Sequence, residues 1–133
     1  MRRTTVFRIL TVLYLAAIAV LCFAKFPSLS QAPGSFLGIP ADKIVHFLMF
    51  FPFPVLALLS LRLKRAMIWK LILILVVLFV LGCLIAWGTE YVQGKLPYRT
   101  MDPNDFKADS LGLFTGSVVA LILFVFTVRK ANA

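Results

Sequence analysis

The chain has 133 residues, 62% of them hydrophobic, and a net charge of +9 from 14 Lys and Arg against 5 Asp and Glu. That much apolar surface on so short a chain cannot be hidden in a water-soluble core, and the length excludes a second soluble module beside a small bundle. Its basic excess follows from topology, as set out below, which removes any reason to invoke nucleic-acid binding.

Four uncharged runs cover 9–24, 44–61, 71–89 and 110–128. Each approaches the roughly 20 apolar residues that a helix needs to cross a bilayer. They are continuously apolar, without the alternation of a barrel strand, and only helices or closed barrels satisfy the backbone in lipid. The pattern predicts an all-α integral membrane protein: one domain over 1–133, a bundle of four transmembrane helices at about 7–25, 43–62, 68–93 and 104–128.

Arg2, Arg3 and Arg8 precede or open the first helix. Its uncharged run is longer than the roughly 7–15 residues of a signal-peptide core, which favours a retained helix over a cleaved leader. Cys22 near its end and Cys83 in the third helix read as small buried hydrophobes, too far apart for a disulfide. The following loop, 26–41, mixes Pro27, Pro33, Gly34 and Pro40 with Phe26, Leu29, Phe36, Leu37 and Ile39. Such a segment is expected to lie against the membrane interface as a wall or lid.

The second helix opens with Asp42, Lys43 and His46; Asp42 and His46 are four apart and share a face. Pro52 and Pro54 each remove a backbone hydrogen bond and are expected to kink it. Arg62, Lys64, Arg65 and Lys70 then lead into the third helix, which ends on Glu90 and Gln93. A short loop with Lys95, Pro97, Tyr98 and Arg99 joins it to the fourth. There Asp105, Asp109, Gly112 and Gly116 form a single stripe, acidic above and small beneath, suited to close approach of another helix within or between subunits. Arg129 and Lys130 follow.

The cations before helix one, between helices two and three, and after helix four number nine and belong on the inner side, so both termini are expected in the cytoplasm. The remaining Lys25, Lys43, Lys95, Arg99 and Lys107 share the outer ends with all five acids, leaving that side neutral. The +9 thus reflects the positive-inside bias and attraction to anionic lipid.

Asp42, Glu90, Asp102, Asp105, Asp109 and the single histidine, His46, all fall at this outer edge. Some have simple explanations: Asp42 as a helix cap, and Asp102-Pro103-Asn104-Asp105 as N-cap, N1 proline and N3 acid. Asp109 lies beyond the four free N–H groups of its helix, so capping does not account for it. Glu90 is opposed by the macrodipole at a helix C-terminus, by about 0.3–1 kcal/mol, and needs a partner. Arg99, Lys43, His46, a bound cation or a substrate could serve. A purely structural ion-pair network is the competing reading, but ionisable groups in a membrane segment default to function.

The ordered set Asp42-Lys43-x-x-His46-Phe47, Glu90-x-x-Gln93-x-x-x-Pro97-x-Arg99 and Asp105-x-x-x-Asp109-x-x-Gly112-x-x-x-Gly116 resembles the pattern of VanZ-like membrane proteins, over about residues 7–128. One departure is Asp109, where that family usually has asparagine. The resemblance implies a link to low-level resistance to teicoplanin, a lipoglycopeptide acting at the outer membrane surface; it does not fix a biochemical activity.

Read from its residues, the edge is a site that binds or modifies an envelope lipid or lipid-linked cell-wall precursor. Glu90 and Asp105 are the expected acid–base pair, with Asp109 beside them and His46, steered by Asp42, as proton shuttle. Lys43, Gln93 and Arg99 are the expected substrate-binding groups, and Lys95 and Lys107 complete a basic rim suited to phosphate. A divalent cation, Mg²⁺, Mn²⁺ or Ca²⁺, suits such a donor set better than structural zinc. The alternatives are a non-enzymatic protein that binds a lipoglycopeptide antibiotic or scaffolds envelope enzymes, and, less favoured, a small transporter. Hydrolase elbow, zincin and phosphate-loop motifs are absent.

Overall fold

A computed structural model describes residues 2–24, 34–61, 63 and 67–132, excepting the side chains of 2, 36 and 127–132. Its order is α1 (Arg2–Phe23), β1 (Ser35–Phe36), β2 (Ile39–Pro40), α2 (Ala41–Phe50), α3 (Phe53–Leu59), α4 (Ile68–Gln93) and α5 (Pro103–Asn132). Four helices are long and apolar enough to cross a membrane: Arg3–Phe23, Ala41–Leu59, Ile68–Gln93 and Pro103–Phe126. The third expected span, 68–93, coincides with α4; α1 starts earlier and α5 runs later than the uncharged runs suggest, because Arg and Lys are good helix formers.

The second span is interrupted at its prolines into α2 and α3, with Phe51 and Pro52 between them still in helical backbone geometry. Pro52 and Pro54 have no N–H to offer the carbonyls one turn back, so α2 closes on the Phe51 N–H to Phe47 carbonyl bond of 3.0 Å. Helix α3 restarts with Leu56 N–H donating to Pro52 O at 3.0 Å. Both segments pack against α5.

The first half of the lid expected at 26–41 lies outside the described residues, as do Lys25, Arg62, Lys64 and Arg65. Its last part is a small antiparallel hairpin, Ser35 opposite Pro40 and Phe36 opposite Ile39, where an irregular loop was expected. The turn is made by Leu37 and Gly38 with φ of 54° and 80°, the left-handed pair that a tight hairpin needs. Leu37 is 88% exposed at its tip.

Helix α5 is the centre of the bundle, against α2, α3 and α4, while α1 packs on α3 and α4. The glycine stripe explains how α5 gets so close. A Cβ on Gly112 would strike the Phe47 carbonyl oxygen, and one on Gly116 the Phe51 carbonyl oxygen and Pro54 Cδ. The stripe therefore serves packing within the chain. Two apolar clusters fill the interior: Ile18, Cys22, Phe50, Phe53, Ala57, Ala86 and Leu113 towards one end, Leu58, Leu71, Leu75 and Ala120 towards the other. Outside, Val12, Leu73, Leu84 and Phe126 are exposed. Cys22 and Cys83 are free thiols.

Helix α1 is tied at both ends. Arg8 Nε donates to Ser60 O at 3.1 Å, and the Tyr14 hydroxyl donates to Met49 O. At its C-terminus the carbonyls of Leu21, Cys22 and Phe23, in the last turn, accept from Arg99 at 3.2 Å, Gln93 at 3.1 Å and Tyr98 at 2.9 Å. Sequence patterns at 93–99 thus close the end of a helix about 75 positions earlier.

Candidate functional site

Three helix ends converge on the acids. Helix α2 opens after Pro40, which makes no side-chain cap bond. Asp42 is therefore not the cap expected for it: it sits in the first turn, 47% exposed, with Lys43 Nζ at 3.1 Å. Helix α5 opens after Asp102, whose Oδ1 accepts from Asn104 N–H at 2.9 Å, and here the expected cap is present. Helix α4 delivers Glu90 and Gln93 from its last turn, both buried.

An outer cluster gathers around one ammonium group. Lys43 Nζ pairs with Asp42, with Asp102 at 2.5 Å and with Asp105, which is 14% exposed. The Lys43 ammonium beside Asp102 and the Asn104 N–H hold the Asp102 carboxyl below the ordinary carboxylate range.

An inner cluster lies one helical turn deeper, around His46. Nδ1 of His46 is 3.0 Å from Asp109 Oδ1 and 3.9 Å from Glu90 Oε1, and its Nε2 is 3.5 Å from Asp105 Oδ2. The side chains of Glu90 and Asp109 are 0% exposed. Glu90 Oε2 accepts from the Asp102 backbone N–H at 3.2 Å. Glu90 Oε1 and Asp109 Oδ2 are buried without any hydrogen-bond partner among the described residues, a costly condition for a carboxylate.

Several expectations change in detail. His46 is oriented by Asp109 and Asp105 from α5, and Asp42, four residues away on its own helix, pairs with Lys43 instead. Of the side chains expected to partner Glu90, His46 meets it and the unexpected Asp102 N–H joins it, whereas Arg99 engages the Leu21 carbonyl and Lys43 the outer acids. Glu90 and Asp105 are not a facing pair; His46 stands between them. The basic rim shrinks too, since Lys95 lies over the Tyr91 ring at 5.1 Å and Lys107 donates to Asn104 Oδ1.

Both clusters border a cavity of about 440 Å³. Its walls are Asp42, Val45, His46 and Met49 of α2, Leu21 and Cys22 of α1, Gln93, the loop residues Pro97, Tyr98, Arg99, Thr100 and Asp102, and Asp105 of α5. Asp102, read from the sequence as one of the edge acids and as a cap, also lines the cavity, pairs with Lys43 and holds Glu90 through its backbone N–H. Tyr14 and Tyr98, which fix α1 against this wall, carried no signal beyond being hydroxyls in an apolar context. Chemically the cavity offers the Arg99 guanidinium, one nitrogen of which bonds the Leu21 carbonyl, an imidazole that can carry a proton, and carboxylates that can accept one.

No family model, no curated protein and no solved structure matches this chain.

Proposed function

We propose that this chain is a VanZ-like multi-pass protein of the bacterial cytoplasmic membrane, with both termini in the cytoplasm and the carboxylate cavity open at the outer face. In this reading the cavity takes the head group of an envelope lipid or lipid-linked precursor, binding or modifying it. One observation carries the reading: in a bundle whose sides are apolar, a roomy polar cavity with His46, Arg99, Asp42 and Asp105 on its walls sits at one end.

Length supports the depth. Helix α4 has 26 residues, about 39 Å, against a hydrocarbon core of about 30 Å, so its last turn reaches the head-group layer. Charge supports the orientation: among the described residues Arg3 and Arg8 lie at the end with Ser60 and Leu63, opposite the acids. The lining supports an amphiphile. Leu21, Val45 and Met49 offer an apolar wall for the start of a chain, Arg99 a fork for phosphate oxygens, and the exposed edge of Asp42 an acceptor for amine or hydroxyl groups. His46, between Asp105, Glu90 and Asp109, is the group placed to give or take a proton at the cavity wall. The family reading carries with it the expectation of low-level teicoplanin resistance.

The test is untargeted lipid profiling, including lipid-linked cell-wall precursors, in cells with wild type, Glu90→Gln or no protein, at matched membrane levels. A species gained or lost only with wild type supports modification and names the substrate class. Identical profiles together with a retained resistance phenotype reject modification in favour of binding or scaffolding.

A further inference from the structure

The inner cluster contains more negative charge than its own residues answer. Glu90 and Asp109 are both fully buried, each with one oxygen that meets no donor among the described residues, where the one cationic group within ion-pair distance of either is the imidazole of His46. We propose that His46 Nδ1, Glu90 and Asp109 bind one divalent cation. This deepens the reading above and rests on it for what the ion does, not for whether it binds.

Three features of the geometry point the same way. One donor atom from each of the three residues lies within 4.8 Å of the others, and ligands about 2.1 Å from a common centre stand roughly 3–4.2 Å apart, so contraction by under an ångström suffices. The two unpartnered oxygens belong to two of the three ligands. The third ligand has a neighbour suited to it: Asp105 Oδ2 lies 3.5 Å from Nε2, placed to take the Nε2 proton as partner when the Nδ1 lone pair turns to an ion, the carboxylate–histidine–metal relay found around metal sites. Asp105 is itself held by Lys43.

The donors select the ion class. Two carboxylates and one imidazole suit Mn²⁺, and Zn²⁺ competes for the same set, whereas Mg²⁺ and Ca²⁺ prefer oxygen alone. A second acidic triad, Asp42, Asp102 and Asp105, meets the same distance criterion, but the Lys43 ammonium already sits among its oxygens. It is the internal control. His46 belongs to the cavity wall, so an ion behind it offsets the buried carboxylates and lets an anionic phosphate approach beside Asp42 and Asp105.

The experiment is titration of chelator-treated, tag-free full-length protein in detergent with Mn²⁺, following loss of the free-ion electron paramagnetic resonance signal. The expected result is one Mn²⁺ per chain, weakened at least about tenfold in Glu90→Gln and Asp109→Asn, and changed less than about threefold in Asp42→Asn. Should a variant fail to fold, wild type alone decides. His46 is the chain's single histidine, so bound Mn²⁺ must show hyperfine coupling to an imidazole nitrogen. No stoichiometric binding, no nitrogen coupling, or binding lost in Asp42→Asn but kept in Glu90→Gln overturns the site. No lipid is present in this titration, so its failure leaves the lipid reading to be judged by the lipid profiles, and the reverse holds equally.

Discussion

The two carboxylate clusters lie side by side, share Asp105, and are solved differently. In the outer one, three acids surround Lys43, remain partly in water, and are each matched by the ammonium. In the inner one, Glu90 and Asp109 are withdrawn from water, share one imidazole, and leave two oxygens unanswered. A cluster that only knits helix ends together has no need of the second arrangement, because unpartnered buried charge destabilises the fold. On the reading proposed here, the outer cluster serves structure and the inner one ligand chemistry.

The largest effect is expected from removing what positions both. Gly116→Ala drives a methyl into the Phe51 carbonyl and Pro54, backbone and ring that cannot swing aside, and should lower stability by about 3 kcal/mol, the upper end for overpacking. Thermal unfolding in detergent reads it; an unchanged midpoint means the α5 to α2–α3 seam is looser than described. Next comes Lys43→Met, which leaves Asp42, Asp102 and Asp105 facing one another. A loss of about 2 kcal/mol is expected, below that of a fully buried pair because solvent screens these groups.

Glu90→Gln should move the other way. The amide keeps an acceptor for the Asp102 N–H and removes a buried charge, so metal-free protein should gain up to about 1 kcal/mol while losing its ligand, the trade expected at a functional site. A loss matching that of Lys43→Met would make Glu90 structural and erase the contrast. The smallest effect concerns pH. Because Asp102 is held below its ordinary range, its contribution is present above about pH 4 and fades as pH falls through the lower folded-state value. Unfolding midpoints at pH 6 and pH 3 should therefore converge somewhat in Asp102→Asn relative to wild type; equal pH dependence would detach Asp102 from Lys43.

Much of this was legible in the chain. Uncharged length marks the four membrane-capable helices, and the stripe from Asp105 to Gly116 marks the face that α5 buries. Pro52 and Pro54 announce a disturbance, but whether a kink or a full break results depends on what the freed carbonyls meet. The partners inside the site were less legible. Spacing puts Asp42 and His46 on one face, yet His46 meets Asp109, 63 positions away, because contact across helices depends on how deeply Gly112 and Gly116 let α5 settle. The same holds for Gln93 and Arg99, whose bonds to the end of α1 depend on a helix that no local pattern connects to them. The hairpin at 35–40 is too short to leave an alternating signature.

The central claim is that the cavity above the inner cluster holds a lipid head group. Native mass spectrometry of full-length protein released from its own membranes, comparing wild type with Arg99→Gln, Glu90→Gln and Lys107→Gln, tests it most directly. The expected result is a defined lipid retained by wild type and Lys107→Gln and lost from Arg99→Gln and Glu90→Gln. The same lipid complement on all four proteins would contradict it.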